Sequence, residues 1–297
     1  INGFISDDPA DKLKVEFDKF SMTTLDQLTK AANVKMKGTL NGDVVLTSLT
    51  KAPTFDSHLA IDSFTMNKTL IGDVKLMSTL DSNRTRANVN MNIVNRGLKT
   101  MDVSGSYLLG KSSDESLDFA LKMNQTESII FEPFVKDLVS NLKGTISSDL
   151  KLTGSPTDPQ LNGNITLENT GVTVNYLKTA YTVNNKLNVA NSVITVDNMT
   201  LKDTKGGEGI ANGKVDLNDL SNPDIEVQLE AKNLMALNTT FKDNHLYFGT
   251  AFTTGSFSFS GPTDNMNIDI KARTNAGTVF NIPLNTSSTA EDYEFIH

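Results

Sequence analysis

The sequence predicts an all-β protein: a long antiparallel sheet, curled along its length into an open apolar groove, with short helical inserts. Three observations carry that prediction. Apolar and polar residues alternate through most of the chain. A Gly-Thr signature recurs at roughly 105-residue intervals, the mark of a repeat array. Only 38% of residues are hydrophobic, 7% are aromatic and there is no Trp, enough to cover one sheet face but not to build a second buried layer.

The alternation is plainest in Val89-Asn90-Met91-Asn92-Ile93, in Leu117 through Met123 and in Ile225-Glu226-Val227-Gln228-Leu229. It recurs from Val172 to Tyr176, from Met266 to Ile270 and from Phe280 to Ile282. Successive strand side chains point to opposite faces. Here the second face is Asn, Thr, Asp, Lys, Ser, Glu or Gln, the antiparallel pattern of one apolar and one wet face. Asn41-Gly42, Asn162-Gly163, Asn212-Gly213, Gly206-Gly207 and Asn275-Ala276-Gly277 read as turns offering positive φ. Gly163 and Gly213 also read as strand glycines, because alternation runs through them (Leu161, Gly163, Ile165, Leu167).

The repeat opens at Gly38-Thr39-Leu40, Gly144-Thr145-Ile146 and Gly249-Thr250, and each copy reaches a Pro-Thr pair: Pro53-Thr54, Pro156-Thr157 and Pro262-Thr263. Before Gly144, the residues Phe131, Phe134, Val135, Leu138, Val139 and Leu142 fall at helical spacing. Pro133 suits the first helical position and Gly144 a C-terminal cap, so the spacing predicts a helix from Pro133 to about Lys143. Thr24 to Ala32, with Leu25 and Leu28 on one face, occupies the same place in the first copy. In the third copy Leu234, Leu237 and Phe241 are interrupted by Asn238-Thr239-Thr240, which predicts a turn or a very short helix. The expected organisation is one elongated fragment over 1–297, with tandem units at about 20–130, 131–235 and 236–297, the last truncated. Ile1-Asn2-Gly3 and Phe295-Ile296-His297 read as ends cut from a longer chain.

Composition excludes several function classes. The net charge is −8 with a pI near 4.9, and Lys and Arg are scattered, so nucleic-acid binding is not expected. The acidic balance also disfavours electrostatic attraction to anionic lipid surfaces, so lipid contact would be apolar. Without cysteine there is no disulfide framework and no thiolate site. No run of 18 apolar residues offers a membrane-spanning helix. His58, His245 and His297 lack metal-ligand spacing. Asp7-Asp8 and Glu291-Asp292 lie near the ends, and Asp216-Leu217-Asn218-Asp219 sits in a turn, so no carboxylate pair is set for hydrolysis. Lys205-Gly206-Gly207-Glu208-Gly209 leads into a strand, whereas a phosphate loop needs a helix. Neither an enzyme nor a cofactor or metal is expected.

What remains is the apolar stripe. Its groove-lining candidates are Leu150, Leu152, Leu161, Ile165, Leu167, Val172, Val174, Tyr176, Val215, Ile225, Val227, Leu229, Phe257, Phe259, Ile268 and Ile270. An ordinary sandwich core would use the same residues. The helix-plus-strands repeat and the few aromatics favour the curled sheet.

Three stretches carry a family likeness. They are Asn162 to Leu167 with Gly171 to Tyr181, Met199 to Gly207 with Ala211 to Val215, and Asn238-Thr239-Thr240 with Asp243-Asn244, Tyr247 to Thr250 and Gly277 to Leu284. From about Leu142 onward the chain resembles a middle portion of the TamB family, of the Bacteroidota type. That resemblance implies an AsmA-like bridge protein, anchored in the inner membrane by a helix outside this fragment and crossing the periplasm as a β-groove. It implies an outer-membrane TamA-type barrel as partner and no catalytic residues. It also implies phospholipid transport to the outer membrane, with acyl chains shielded in the groove. The alternative is a chaperone that assembles outer-membrane β-barrel proteins and autotransporters by strand pairing. A further alternative is a surface adhesin with a closed β-core.

Overall fold

Among the described residues seventeen strands form one antiparallel sheet, in which each strand after the first, except the last, pairs with the strand before it in the chain. The computed structural model describes residues 1–5, 11–30, 34–47, 54–81, 85–109, 116–136, 138–219 and 222–283. The sheet begins with β1 (Asn2–Gly3), β2 (Lys12–Ser21), β3 (Met36–Thr47), β4 (Thr54–Met66), β5 (Thr69–Leu80), β6 (Arg86–Asn95) and β7 (Leu98–Leu108). It continues through β8 (Leu117–Glu127), β9 (Val139–Ser155), β10 (Asp158–Val174), β11 (Thr179–Ala190), β12 (Val193–Asp203) and β13 (Glu208–Asp216). It ends with β14 (Asp224–Thr239), β15 (Phe248–Pro262), β16 (Asn267–Thr274) and β17 (Val279–Asn281). Both β16 and β17 pair with β15. Among the described residues no ladder joins the first strands to the last, so the sheet stays open rather than closing into a barrel.

Strict alternation would fail in strands this long, because sheets twist and curl. The chain solves this with β-bulges. On β2, β4, β8, β10, β12 and β14 three residue steps oppose two on the following strand. At each, a residue stands in the left-handed region: Lys19, Ser63, Gln125, Asn169, Asn198 and Asn233, with φ from 47 to 52°. The next residue turns inward, so the apolar phase slips by one. Phe17 is followed inward by Phe20, Ile61 by Phe64, Val196 by Met199 and Ala231 by Leu234. A left-handed side-chain-bearing residue costs roughly 1 kcal/mol or more, and its N–H is lost to the ladder. Each lost N–H finds an acceptor on the next strand: Lys19 to Asn41 Oδ1, Ser63 to Asp73 Oδ1 and Gln125 to Ser147 Oγ. Asn169 donates to Asn184 Oδ1, Asn198 to Asn212 Oδ1 and Asn233 to Thr254 Oγ1, and all six bonds span 2.7–3.0 Å.

Helical segments recur every six strands. Met22–Leu25 (3-10) and α1 (Asp26–Thr29) join β2 to β3. Ser128–Phe131 (3-10) and α2 (Glu132–Val135) join β8 to β9. Both inserts close alike: Asp26 Oδ1 accepts from Met36 N–H at 3.1 Å and Glu132 Oε2 from Leu142 N–H at 2.9 Å. Between β14 and β15 only a turn remains, held by Asp243 accepting from Thr240.

Three expectations are corrected. The helix expected over Pro133 to about Lys143 stops at Val135. Residues from Val139 onward join the sheet instead, because pairing of Val139 with Val174 and Ser140 with Thr173 satisfies their backbone groups along the whole strand. Gly144 is therefore no cap. It lies inside β9 at φ +80°, where a Cβ would stand 2.3 Å from the Asn169 carbonyl oxygen. Asn41-Gly42 is a strand interior rather than a turn, and at Gly163 and Gly213 the strand-glycine alternative is the one the structure takes. Leu234 and Leu237, placed in a turn or short helix, lie on β14, and only Phe241 falls in the turn. Asp7-Asp8, Ala32, Pro53, Leu284, Glu291-Asp292 and the chain's last residues lie outside the described residues.

Gly213 shows why glycine is needed in these strands. Its φ is +148° and a Cβ would meet the Glu226 carbonyl oxygen at 2.0 Å. Gly213→Ala is expected to destabilise the fold by about 3 kcal/mol or more through backbone displacement. Gly206→Ala, in an open turn with nothing within 4 Å, is expected to cost about 1 kcal/mol. Urea unfolding of the two variants measures the difference.

Candidate functional site

Cross-strand partners share a face, so register traces the apolar surface directly. One row runs from Phe17 through Gly42, Leu59, Leu76, Met91, Val103, Leu121 and Leu150. It continues through Gly163, Val189, Ile194, Val215, Ile225 and Gly261. From β2 to β15 every position in it is apolar or glycine. At ~4.8 Å per strand the row extends about 60 Å along the sheet.

All but one of the sequence-predicted lining residues lie on this face. Leu152 pairs with Leu161, and Ile165, Leu167, Val172 and Val174 follow along β10. Val227 faces Phe259, Leu229 faces Phe257, and those phenylalanines face Ile268 and Ile270. Tyr176 is elsewhere. β10 ends at Val174, so Tyr176 sits in the following turn, 64% exposed, its hydroxyl 2.7 Å from that of Tyr247. Residues before Leu117 belong to the same face, which the sequence candidates did not include. The signal that would have found the bulges is an apolar pair three apart whose second member follows a polar residue, as in Phe17-Asp18-Lys19-Phe20.

Among the described residues no second layer covers this face. Most lining side chains are half-buried by their neighbours, and Ile268 and Ile270 are 47% and 57% exposed. Among the described residues cover comes along one margin. Ile129 of the second insert packs on Ile71, Ile93 and Met101. Farther along, Leu234 on the extension of β14 packs with Tyr181 of β11 and Phe257. The Tyr181 hydroxyl donates to the Met235 carbonyl at 2.7 Å, and burial pushes its phenol pKa up. Asp203 fastens this crossing by accepting from Gly207 N–H at 2.9 Å and Met235 N–H at 2.6 Å. β14 thus steps over the end of the β12–β13 hairpin to reach β11, which requires the sheet to be curled.

The hairpin turn between β10 and β11 meets the β14–β15 turn. Asn238 N–H donates to the Leu177 carbonyl at 2.9 Å, and Lys178 Nζ lies 3.9 Å from Asp243 Oδ1. Asp243 is held below its ordinary value of 3.8, first by the Thr240 hydroxyl and N–H and lastly by Lys178.

The polar face carries ion pairs such as Lys151–Asp118, Lys202–Glu208 and Lys214–Glu226. Surface pairs of this kind contribute little stability. Among the described residues no cluster of three His, Cys, Asp or Glu could hold a metal ion, and no helix is long and apolar enough to cross a membrane.

Two family models match the chain. TamB, N-terminal domain, matches residues 5–167, more than half the chain, and TamB C-terminal domain matches residues 197–297. The first extends the match to residues ahead of Leu142, before the stretches that carry the sequence likeness. No curated protein and no solved structure matches.

A depressed carboxyl contributes above its unfolded value and loses that contribution as pH falls through its folded value. Asp243 is therefore expected to hold its turn undiminished at neutral pH and to release it only in acid below the ordinary carboxyl range. Asp243→Asn is expected to speed exchange of the Thr240 and Asn238 amides at neutral pH. Hydrogen-exchange mass spectrometry of the two chains reads both effects.

Proposed function

We propose, for a chain that belongs to the TamB family, that the apolar face carries phospholipid acyl chains through the periplasm toward the outer membrane. The family works in outer-membrane biogenesis, spans the periplasm and associates with outer-membrane proteins such as TamA. In this reading the segment is a passive conduit with no catalytic step and no cofactor.

The observation that carries the reading is the unbroken apolar row from Phe17 to Gly261. Moving a phospholipid with roughly 30 acyl methylenes into water costs more than about 20 kcal/mol. A half-open apolar floor removes much of that cost while leaving the headgroup in water. The absence of polar positions in the row matters as much as its length. A buried polar group in the path would create a local barrier of about 1–3 kcal/mol, and a row without one lets a chain slide along it.

The chaperone reading has its own support. The last strands leave Val279, Phe280 and Ile282 50–64% exposed beside an open sheet edge. An incoming strand can pair with such an edge.

Charges on the floor separate the two. Leu152→Lys and Ile165→Lys are expected to abolish phospholipid loading, measured by mass spectrometry after incubation with vesicles, while edge pairing to a client strand survives. Ile268→Glu with Ile270→Glu is the fold-neutral arm, since both positions are about half exposed, and is expected to reduce loading at that end. Wild-type chain that takes up no phospholipid and gives no lipid crosslinks from inward positions overturns the conduit.

A further inference from the structure

The second insert faces the first unit across a cavity of about 730 Å³. Four lysines line it: Lys35 and Lys37 at the start of β3, Lys68 in the β4–β5 turn, and Lys143 on β9. One carboxylate, Glu132, lines it with them, and its Oε2 already accepts from Leu142 N–H at 2.9 Å. All four lysines are exposed, and among the described residues none of the four makes an ion pair. Lys14, Lys99, Lys151, Lys178, Lys202 and Lys214 each reach a carboxylate, whereas these four gather round one cavity that a single carboxylate shares, in a chain of net charge −8.

The next junction along the sheet shows what is missing here. Six strands apart, Asn67 N–H donates to Lys35 O and Asn175 N–H to Leu138 O, both at 3.0 Å, so the two junctions are built alike. At the second, Lys178 meets Asp243 and Tyr176 meets Tyr247. At the first, Lys68 occupies the corresponding turn, and among the described residues no carboxylate forms an ion pair with it. Clustered ammonium groups raise a positive potential that draws an anion. Lysine suits phosphate as a compact point charge with three donors. On the inner side of the cavity, Ile129 belongs to both the cavity wall and the apolar cluster of Ile71, Ile93 and Met101.

We infer that this cavity binds the phosphate of a net-anionic headgroup, with the attached acyl chains on the apolar face beside Ile129. The acyl half of the inference rests on the conduit reading, and the phosphate half does not. The cavity makes the first junction a selective station on an otherwise indifferent floor.

The test uses vesicles containing equal parts phosphatidylglycerol and phosphatidylcholine, so that both lipids leave one surface. Wild-type chain is re-isolated and its bound lipids are counted by mass spectrometry. In parallel, inorganic phosphate and glycerol 3-phosphate are titrated by phosphorus NMR. Wild type is expected to load phosphatidylglycerol several-fold over phosphatidylcholine, less so at high salt. The Lys35→Gln, Lys37→Gln, Lys68→Gln, Lys143→Gln variant is expected to load both lipids equally, with total loading preserved. A variant that keeps the wild-type preference overturns the site and leaves the conduit standing. If wild type loads no lipid at all, the conduit reading fails and the titration decides the site. Phosphate binding lost in the variant then supports a site for soluble phosphate esters, and no phosphate binding by wild type overturns it. Should the fourfold variant fail to fold, Lys68→Gln and Lys143→Gln singly are each expected to lower the preference.

Discussion

The groove depends on one interaction repeated across the sheet: the hydrogen bond from the N–H of a left-handed bulge residue to a side-chain oxygen on the next strand. A bulge without that acceptor leaves a donor outside the ladder and a strained residue uncompensated. With it, the strand turns and its apolar phase resets by one. Lys19, Ser63, Gln125, Asn169, Asn198 and Asn233 all use it, and Asn41, Asp73, Ser147, Asn184, Asn212 and Thr254 all answer. The acceptors are polar residues of the wet face, so the device costs the apolar face nothing.

The phase reset has a functional consequence. Bulges let strands as long as β10 and β14 bend while each keeps one apolar face. Glycines on that face serve the same end by letting neighbouring backbones approach closely, as Gly213 does with Glu226. Curling then brings elements six strands apart to the same margin, where an insert or a strand extension spans the hairpin ends. The margin differs from junction to junction. Tyrosines and a Lys–Asp pair close one, and unpaired lysines line the other. The junctions differ in this way while the row from Phe17 to Gly261 stays apolar or glycine throughout.

Much of this was legible in the residues. Val89 to Ile93 and Ile225 to Leu229 alternate cleanly because no bulge falls within them, and their faces follow from period two alone. Phe131 to Leu142 misled because helical spacing and a bulged strand share i, i+3 steps, and a strand partner settles the choice by satisfying the backbone of Val139 and Ser140. Asn41-Gly42 misled because Asn-Gly usually turns a hairpin, whereas here Asn41 serves a bulge on β2 and Gly42 admits the backbone of β4. The lysine cavity was out of reach, since Lys35, Lys68 and Lys143 are far apart in the chain and each looked like a scattered surface charge.

By itself the sequence determined that nearly every segment is a strand with one apolar face and that the pattern repeats. These are local properties, carried by alternation and residue chemistry within a few positions. Only the tertiary structure decided that the faces join into one row, that the row stays uncovered, and that two distant units enclose a basic cavity. Alternation states which side of a strand is apolar, but register and curl decide what that side meets, and both depend on partners many residues away.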